Sequence, residues 1–136
     1  MAVTMTGTYV GGLKTEIVHE PSGTVLRTAA PVDNQGDGSS FSPTDLMAAA
    51  LASCMLSTMA IVGERHGIDL TNASFRVEKH MRADPRRIDR LPVTLHLPAA
   101  LSATERELME RTAHACPVHK SLLPEIDLPT TFVYDR

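Results

Sequence analysis

A long apolar run divides the chain into a strand-rich first part and a mixed second part. In residues 6–28, β-branched residues and glycines alternate in short runs around a turn at Pro21-Ser-Gly23. This pattern is typical of a small antiparallel sheet. Apolar residues then follow with few interruptions from Leu46 to Val62, which predicts a helix.

Capping signals define the ends of two helices. Ser42-Pro-Thr-Asp45 combines an N-cap serine, a proline at the first helical position and an acid three residues after the cap. The helix should therefore run to about Arg65, with Gly67 as a left-handed residue beyond its end. Ser102-Ala-Thr-Glu105 is a second capping box and predicts a helix through about His114.

The rest of the second part returns to strands and turns. Two alternating stretches flank the turn Ala83-Asp-Pro-Arg86 and predict a second hairpin, and a short helical segment follows the second capped helix. The predicted strands are 73–82, 87–97 and 130–134, and the short segment is 116–123 with Pro124 as its stop. The order of strands, buried helix, strands, helices and strand predicts an α+β fold, with residues 1–136 as one domain.

The long helix is apolar on nearly all sides, so it must be buried on most of its surface. A membrane-spanning helix is the alternative interpretation. The apolar stretch is shorter than the roughly 20 residues that a span needs, and it carries Ser53, Ser57 and Thr58. In a chain of 136 residues such a helix is covered more easily if a second subunit contributes, so we predict a homodimer.

Charge and composition exclude several function classes. Thirteen basic residues are scattered among 16 acidic ones, for a net charge of -3, and this balance favours neither a nucleic-acid partner nor a membrane surface. The N-terminal residues have no charged start, apolar signal core or Arg-rich pattern, which predicts a cytoplasmic location. In that reducing compartment, cysteines are more typical of free or catalytic thiols than of structural disulfides.

The two cysteines are the candidate chemistry. Cys54 lies within the apolar helix, where a buried thiol is inert unless a cation or hydrogen-bond donor reaches it, and a small core residue is the alternative interpretation. Cys116 precedes Pro117 at a helix start, with His119 and Lys120 one turn on, which favours a thiolate; a simple helix cap is the alternative. If the two thiols meet, they provide a nucleophile and a resolving partner.

Other cofactor and nucleophile signatures are absent. The glycine pairs at Gly11-Gly12 and Gly36-Asp-Gly38 do not match a phosphate loop, and no Gly-x-Ser-x-Gly elbow occurs. His114 and His119 could join the cysteines in a tetrahedral zinc set, but no closely spaced ligand pair of the usual kind is present. We therefore predict no cofactor and no metal.

Two segments together resemble the OsmC/Ohr family of thiol peroxidases. They are residues 33–54 (DNQGDGSSFSPTDLMAAALASC) and 116–122 (CPVHKSL). The resemblance implies antiparallel sheets packed around a long central helix, an intertwined homodimer with active sites at the subunit interface, and reduction of organic hydroperoxides. It further implies that Cys54 attacks the peroxide, that Cys116 resolves the sulfenic acid to a disulfide, and that a dithiol, of lipoyl type in the Ohr branch, is the reductant.

The chain departs from the Ohr pattern at two positions. Thr44 stands where the Ohr branch has an acidic residue that holds an arginine against the reactive cysteine, and Asp45 comes one position later. Leu13 follows the glycine pair where that arginine is expected. The cation that activates Cys54 is therefore unassigned, and the candidates are Lys14, Arg27 and Lys120.

The main hypothesis is a cytoplasmic, homodimeric peroxidase of the OsmC-like branch that uses Cys54 and Cys116. A second hypothesis is a non-enzymatic relative that binds a small apolar molecule at the dimer interface or senses oxidation. A third is an interaction domain with two buried thiols.

Overall fold

The computed structural model describes all residues from Met1 to Arg136, and these form two compact units, Met1–Leu46 and Met47–Arg136. The α+β class predicted from the sequence is confirmed. The strands are β1 (Met5–Gly11), β2 (Lys14–His19), β3 (Thr24–Ala29), β4 (Ser74–Val77), β5 (His80–Ala83), β6 (Arg86–Arg90), β7 (Val93–Leu97) and β8 (Thr130–Tyr134). The helices are α1 (Pro43–Arg65), α2 (Ala103–His114) and α3 (Pro117–Ser121), with a 3-10 turn at Val32–Asn34.

The first unit is a three-stranded antiparallel sheet in the order β1-β2-β3, as the alternating pattern predicted. Its first turn uses three successive residues with positive φ, at Gly11, Gly12 and Leu13. Few of its residues are buried, and its large apolar side chains are largely exposed; they include Met5, Tyr9, Val10, Leu13, Val25 and Phe41. This sheet has little core of its own within one chain.

The second unit holds the main hydrophobic core. Leu51, Met55 and Met59 form the buried face of α1, and Leu95 and Met109 contribute from β7 and α2. The three α1 residues are spaced four apart, so they stack along one side of the helix. Cys116 belongs to the same core, which brings the short helix α3 against α1.

The predicted hairpin of two long strands is wrong in one respect, because each strand is divided. β4 pairs with β7 and β5 pairs with β6, both antiparallel, as in a hairpin. Pro92 interrupts the second strand because proline has no N–H to donate, and the N–H of Glu78 donates to its carbonyl at 3.1 Å. A register shift between His80 and Met81 adds to the break.

The last strand, β8, occupies the residues predicted for it, but the sequence did not predict its direction. It pairs in parallel with β7, so the sheet β4-β7-β8 is mixed and the expectation of purely antiparallel sheets is wrong. Parallel neighbours need a long connection, and α2 and α3 with their loops provide it.

The ends of α1 are those predicted. The N–H of Asp45 donates to Oγ of Ser42 at 3.0 Å, and the N–H of Ser42 donates to the Asp45 carboxylate at 2.8 Å. Gly67 has φ +70 and the N–H of Ile68 donates to the Gly63 carbonyl at 2.8 Å, which closes the C-terminal turn.

One chain alone buries α1 along one face, and the cover predicted from a second subunit stays a prediction. Its buried residues lie on one face, whereas Met47 is 43% and Ile61 55% exposed. By length and composition alone α1 could span a membrane, and core helices of soluble proteins share this length and composition.

Candidate functional site

Cys54 lies in the middle of α1 and is half-buried. Its neighbours Ser53 and Ser57 are exposed, and Met55 is fully buried, so Cys54 stands at the edge between the core face and the open face of the helix. Its sulfur lies 3.9 Å from Oγ1 of Thr58, one turn further along α1. A thiol at this edge can be reached from outside, whereas a fully buried one cannot.

Cys116 is the N-cap of α3 and is fully buried. Its sulfur accepts a hydrogen bond from the N–H of His119 at 3.3 Å, and its carbonyl accepts from the N–H of Lys120 at 3.2 Å. Pro117 occupies the first helical position, where its missing N–H costs nothing. The local sequence thus folds as predicted, and the sulfur atom that caps α3 is also that of the candidate thiol.

The structure brings the two thiols together. Burial raises the pKa of Cys116 above its ordinary value; hydrogen bonds from the N–H groups of His119 and Val118 oppose this, and the side chain of Cys54 reinforces it through a hydrogen bond and through its charge. The dipole argument from sequence favoured the Cys116 thiolate, but desolvation outweighs it. Burial and the neighbouring Cys54 side chain therefore both favour the protonated form of Cys116.

An apolar groove of about 280 Å³ lies between α1 and α3. It is lined by Met47, Ala50, Pro117, Val118, Ser121 and Leu122. Of these residues, Ala50 lies one turn before Cys54 on α1, and Pro117 directly follows Cys116. Its composition suits an alkyl or aryl group better than a charged one.

A larger groove of about 590 Å³ lies along the open face of α1, beside Cys54. Ser53, Ser57 and Glu64 line it from the helix, and Asp69 and Phe75 line it from the segment that follows. It is more polar than the groove beside α3, and it adjoins Cys54 through Ser53.

The predicted cations of the first unit are paired with carboxylates there. Nζ of Lys14 lies 2.9 Å from Asp37, and the guanidinium of Arg27 lies 3.0 Å from Glu16. Lys120 is exposed in the last turn of α3. The hydrogen-bond partner that the structure gives the Cys54 sulfur on its own helix is neutral, the hydroxyl of Thr58.

Thr44 and Asp45 belong to the cap of α1. Oγ1 of Thr44 lies 3.1 Å from Oγ of Ser42, and Asp45 closes the capping box described above. Their arrangement explains the sequence Ser-Pro-Thr-Asp as a helix start.

The histidines near Cys116 pack on each other and form no cluster of metal ligands. The rings of His114 and His119 meet edge to face at 5.8 Å, and His114 meets Phe132 in the same way at 5.9 Å. The His114 ring, at the end of α2, therefore contacts both α3 and β8.

No sequence motif points to the lining of the groove or to Thr58. The four-residue spacing from Cys54 to Thr58 places both on one side of a helix, and that was the available signal. The groove residues share no pattern, because α1 and α3 are distant in sequence.

Residues 36–131 match the family model for OsmC-like proteins. A solved structure from Psychrobacter arcticus 273-4, named for the osmotic stress induced and detoxification response, is 39% identical over 97% of this chain and 96% of its own, with a TM-score of 0.92. No curated protein matches the chain.

More distant structures share the fold. An organic hydroperoxide resistance protein OsmC from Legionella pneumophila is 24% identical, with a TM-score of 0.74, over 98% of this chain and 97% of its own. The organic hydroperoxide resistance protein OhrB of Bacillus subtilis is 16% identical, with a TM-score of 0.67, over 97% and 98%. These two likenesses concern the arrangement of strands and helices.

Proposed function

The chain belongs to the OsmC-like protein family, and we propose that it is a thiol-dependent peroxidase that reduces organic hydroperoxides. The observation that carries this proposal is the contact between the half-buried thiol of Cys54 and the buried thiol of Cys116. One sulfur can be reached by a substrate, and the other is held beside it.

The chemistry divides between the two sulfurs. The Cys54 thiolate attacks the outer oxygen of the hydroperoxide, the O–O bond breaks, and the alkoxide leaves as an alcohol after taking a proton from water. Cys54 becomes a sulfenic acid. The Cys116 sulfur then attacks it, water is released, and a disulfide forms. A dithiol, of lipoyl type, returns the pair to thiols by exchange.

The raised pKa of Cys116 suits the resolving role. Burial and the charge of a Cys54 thiolate both favour the protonated form of Cys116, which suits a thiol that reacts second. Once Cys54 has become a neutral sulfenic acid, that contribution disappears, and Cys116 loses its proton more readily.

The apolar groove supports an organic substrate. Met47, Val118 and Leu122 give it walls that take an alkyl or aryl group, and it lies between the two helices that carry the cysteines. Hydrogen peroxide has no such group and would gain nothing from these walls.

A homodimer in the cytoplasm is part of the proposal. Tyr9 and Val25 of the first unit are 64% and 53% exposed, and Ile61 of α1 is 55% exposed, so one chain leaves large apolar surfaces open to water. A second copy would cover them. Sedimentation equilibrium should give twice the chain mass of 14.7 kDa, and a monomer at micromolar concentration would contradict this part.

The test of the reaction is the intact mass of the reduced protein after one equivalent of cumene hydroperoxide, with dimedone present. The wild type should lose two hydrogens, Cys116→Ser should carry one dimedone adduct, and Cys54→Ser should remain unmodified. If Cys54→Ser still consumes peroxide at the wild-type rate, the proposal is wrong.

The apolar groove also favours a second candidate, a protein that binds a small apolar molecule without turning it over. Thiols that stay reduced under cumene hydroperoxide, together with a bound molecule in native mass spectra, would support it instead.

A further inference from the structure

The hydroxyl of Thr58 has an unusual partner for a residue within a helix. Such hydroxyls commonly bond to the carbonyl four residues earlier. Thr112 donates to the Leu108 carbonyl at 2.7 Å, and Ser121 donates to the Pro117 carbonyl at 2.8 Å. The recorded partner of Thr58 is instead the sulfur of Cys54, also four residues earlier, at 3.9 Å.

We infer that Thr58 is a catalytic residue that donates its hydroxyl hydrogen to the Cys54 thiolate and so activates it. This inference rests on the proposed function and adds the activating group that the sequence leaves unassigned. The contact is long for a neutral thiol. A charged acceptor shortens and strengthens such bonds, and catalytic contacts often tighten only when the reactive state forms.

The geometry explains how one helix can supply both partners. The side chains at positions i and i+4 lie one above the other, and this places the Thr58 hydroxyl oxygen 3.9 Å from the sulfur, within reach of a hydrogen bond. Lys14 and Arg27 each pair with a carboxylate in the first unit, so either cation would have to leave that carboxylate before it could activate a thiol. A neutral donor on α1 needs no such step.

The role of Thr58 in the reaction is confined to hydrogen bonding. The sulfur loses two electrons to the outer peroxide oxygen, which keeps its hydrogen and becomes the sulfenic hydroxyl, while the O–O bond breaks and the alkoxide takes a proton from water. Thr58 keeps its own proton throughout. It favours the thiolate before the attack, and its bond weakens as the sulfur loses its charge.

The test is the rate of alkylation of Cys54 by iodoacetamide against pH, in a Cys116→Ser background so that one thiol reacts. Thr58→Val keeps the shape and removes the hydroxyl. It should lower the rate at pH 7 by about three- to tenfold and move the midpoint of the profile up by roughly half to one unit. At high pH the two profiles should converge. Thr58→Ser should restore the original profile.

Thr112→Val is the matched control, because it removes a helical hydroxyl that bonds to a carbonyl; it should lower stability and leave the alkylation profile unchanged. If Thr58→Val does not fold, Thr58→Ala provides the same comparison. Coincident profiles for the parent protein and either Thr58 variant would overturn the inference.

Alkylation does not depend on peroxide turnover, so this measurement separates the two ideas. A shifted profile, with no peroxidase activity in the wild type, keeps the role of Thr58 in thiolate formation and removes the proposed reaction. An unshifted profile, with peroxidase activity in the wild type, does the reverse.

Discussion

The sulfur of Cys116 and the N–H of His119 are joined by a 3.3 Å hydrogen bond that caps α3. The atom proposed to resolve the sulfenic acid therefore also holds the start of the helix that lines the apolar groove. Formation of a disulfide changes the acceptor in this cap, so redox state and local helix stability are linked at one atom.

Removal of the Cys116 sulfur should destabilise the protein. Cys116→Ala deletes the cap acceptor and leaves a small cavity in the core, and we expect a loss of about 1–2 kcal/mol in the free energy of unfolding. Cys116→Ser keeps an acceptor and should lose less. Urea denaturation under reducing conditions measures both, and equal losses would contradict a capping role for the sulfur.

The raised pKa of Cys116 predicts how stability depends on pH. Below pH 9.0, the ordinary pKa of a cysteine, Cys116 keeps its proton in both the folded and the unfolded chain. The free energy of unfolding therefore does not depend on this group there. Above pH 9 the unfolded chain releases the proton while the folded chain retains it, so the free energy of unfolding falls, by at most about 1.4 kcal/mol per pH unit.

The comparison with Cys116→Ser isolates this effect, because both proteins share all other titrating groups. Urea denaturation with a phosphine reductant at pH 7, 8, 9 and 10 should show the wild type losing stability relative to the variant above pH 9. A constant difference across this range would mean that the folded chain does not hold the Cys116 proton.

Tyr134 should stabilise the end of the chain through its hydroxyl. It donates to the Glu110 carboxylate at 2.6 Å, and the guanidinium of Arg106 lies 4.1 Å from its ring centre. Burial and the Glu110 charge raise the pKa of Tyr134 well above 10.0, so the hydroxyl stays protonated and keeps donating. Tyr134→Phe should cost about 1 kcal/mol.

Tyr9→Phe is the control for this prediction. The Tyr9 hydroxyl accepts the N–H of Leu13 at 3.2 Å on an exposed strand, and its removal should change the stability by less than about 0.5 kcal/mol. Thermal unfolding of the two variants side by side decides whether the Glu110 contact is the stronger one.

The two capping boxes should differ in strength because their burial differs. Ser42 is 1% exposed, whereas Ser102 is exposed, and both accept from the backbone N–H three residues later. Ser42→Ala should cost about 1–2 kcal/mol and Ser102→Ala about 0.5–1 kcal/mol in the free energy of unfolding. Chemical denaturation measures this order, and the reverse order would show that burial does not govern these caps.

Gly36 should not tolerate a side chain. A Cβ at this position would overlap the carbonyl oxygen of Ala30, and a backbone atom cannot move aside cheaply. Gly36→Ala should cost more than about 2 kcal/mol. Gly7→Ala is the control, since its Cβ would make an ordinary contact at 3.5 Å and should cost less than about 1 kcal/mol. Equal stabilities would contradict the tight turn at Ala30.

By itself the sequence determined the local structure. The bounds of α1 and α2, the turn at Gly23 and the cap at Cys116 all depend on groups within a few residues, and their motifs specify them directly. The family resemblance rested on the same short segments, and the family-model match confirmed it.

Only the tertiary structure decided the rest. The parallel pairing of β8 with β7, the break at Pro92, the exposed side of α1 and the burial that raises the pKa of Cys116 depend on residues far apart in sequence. A local pattern fixes which residues are apolar and which can cap a helix. It does not fix which surfaces pack together. Such packing determines the desolvation of Cys116, the direction of β8 and the contact between Cys54 and Cys116.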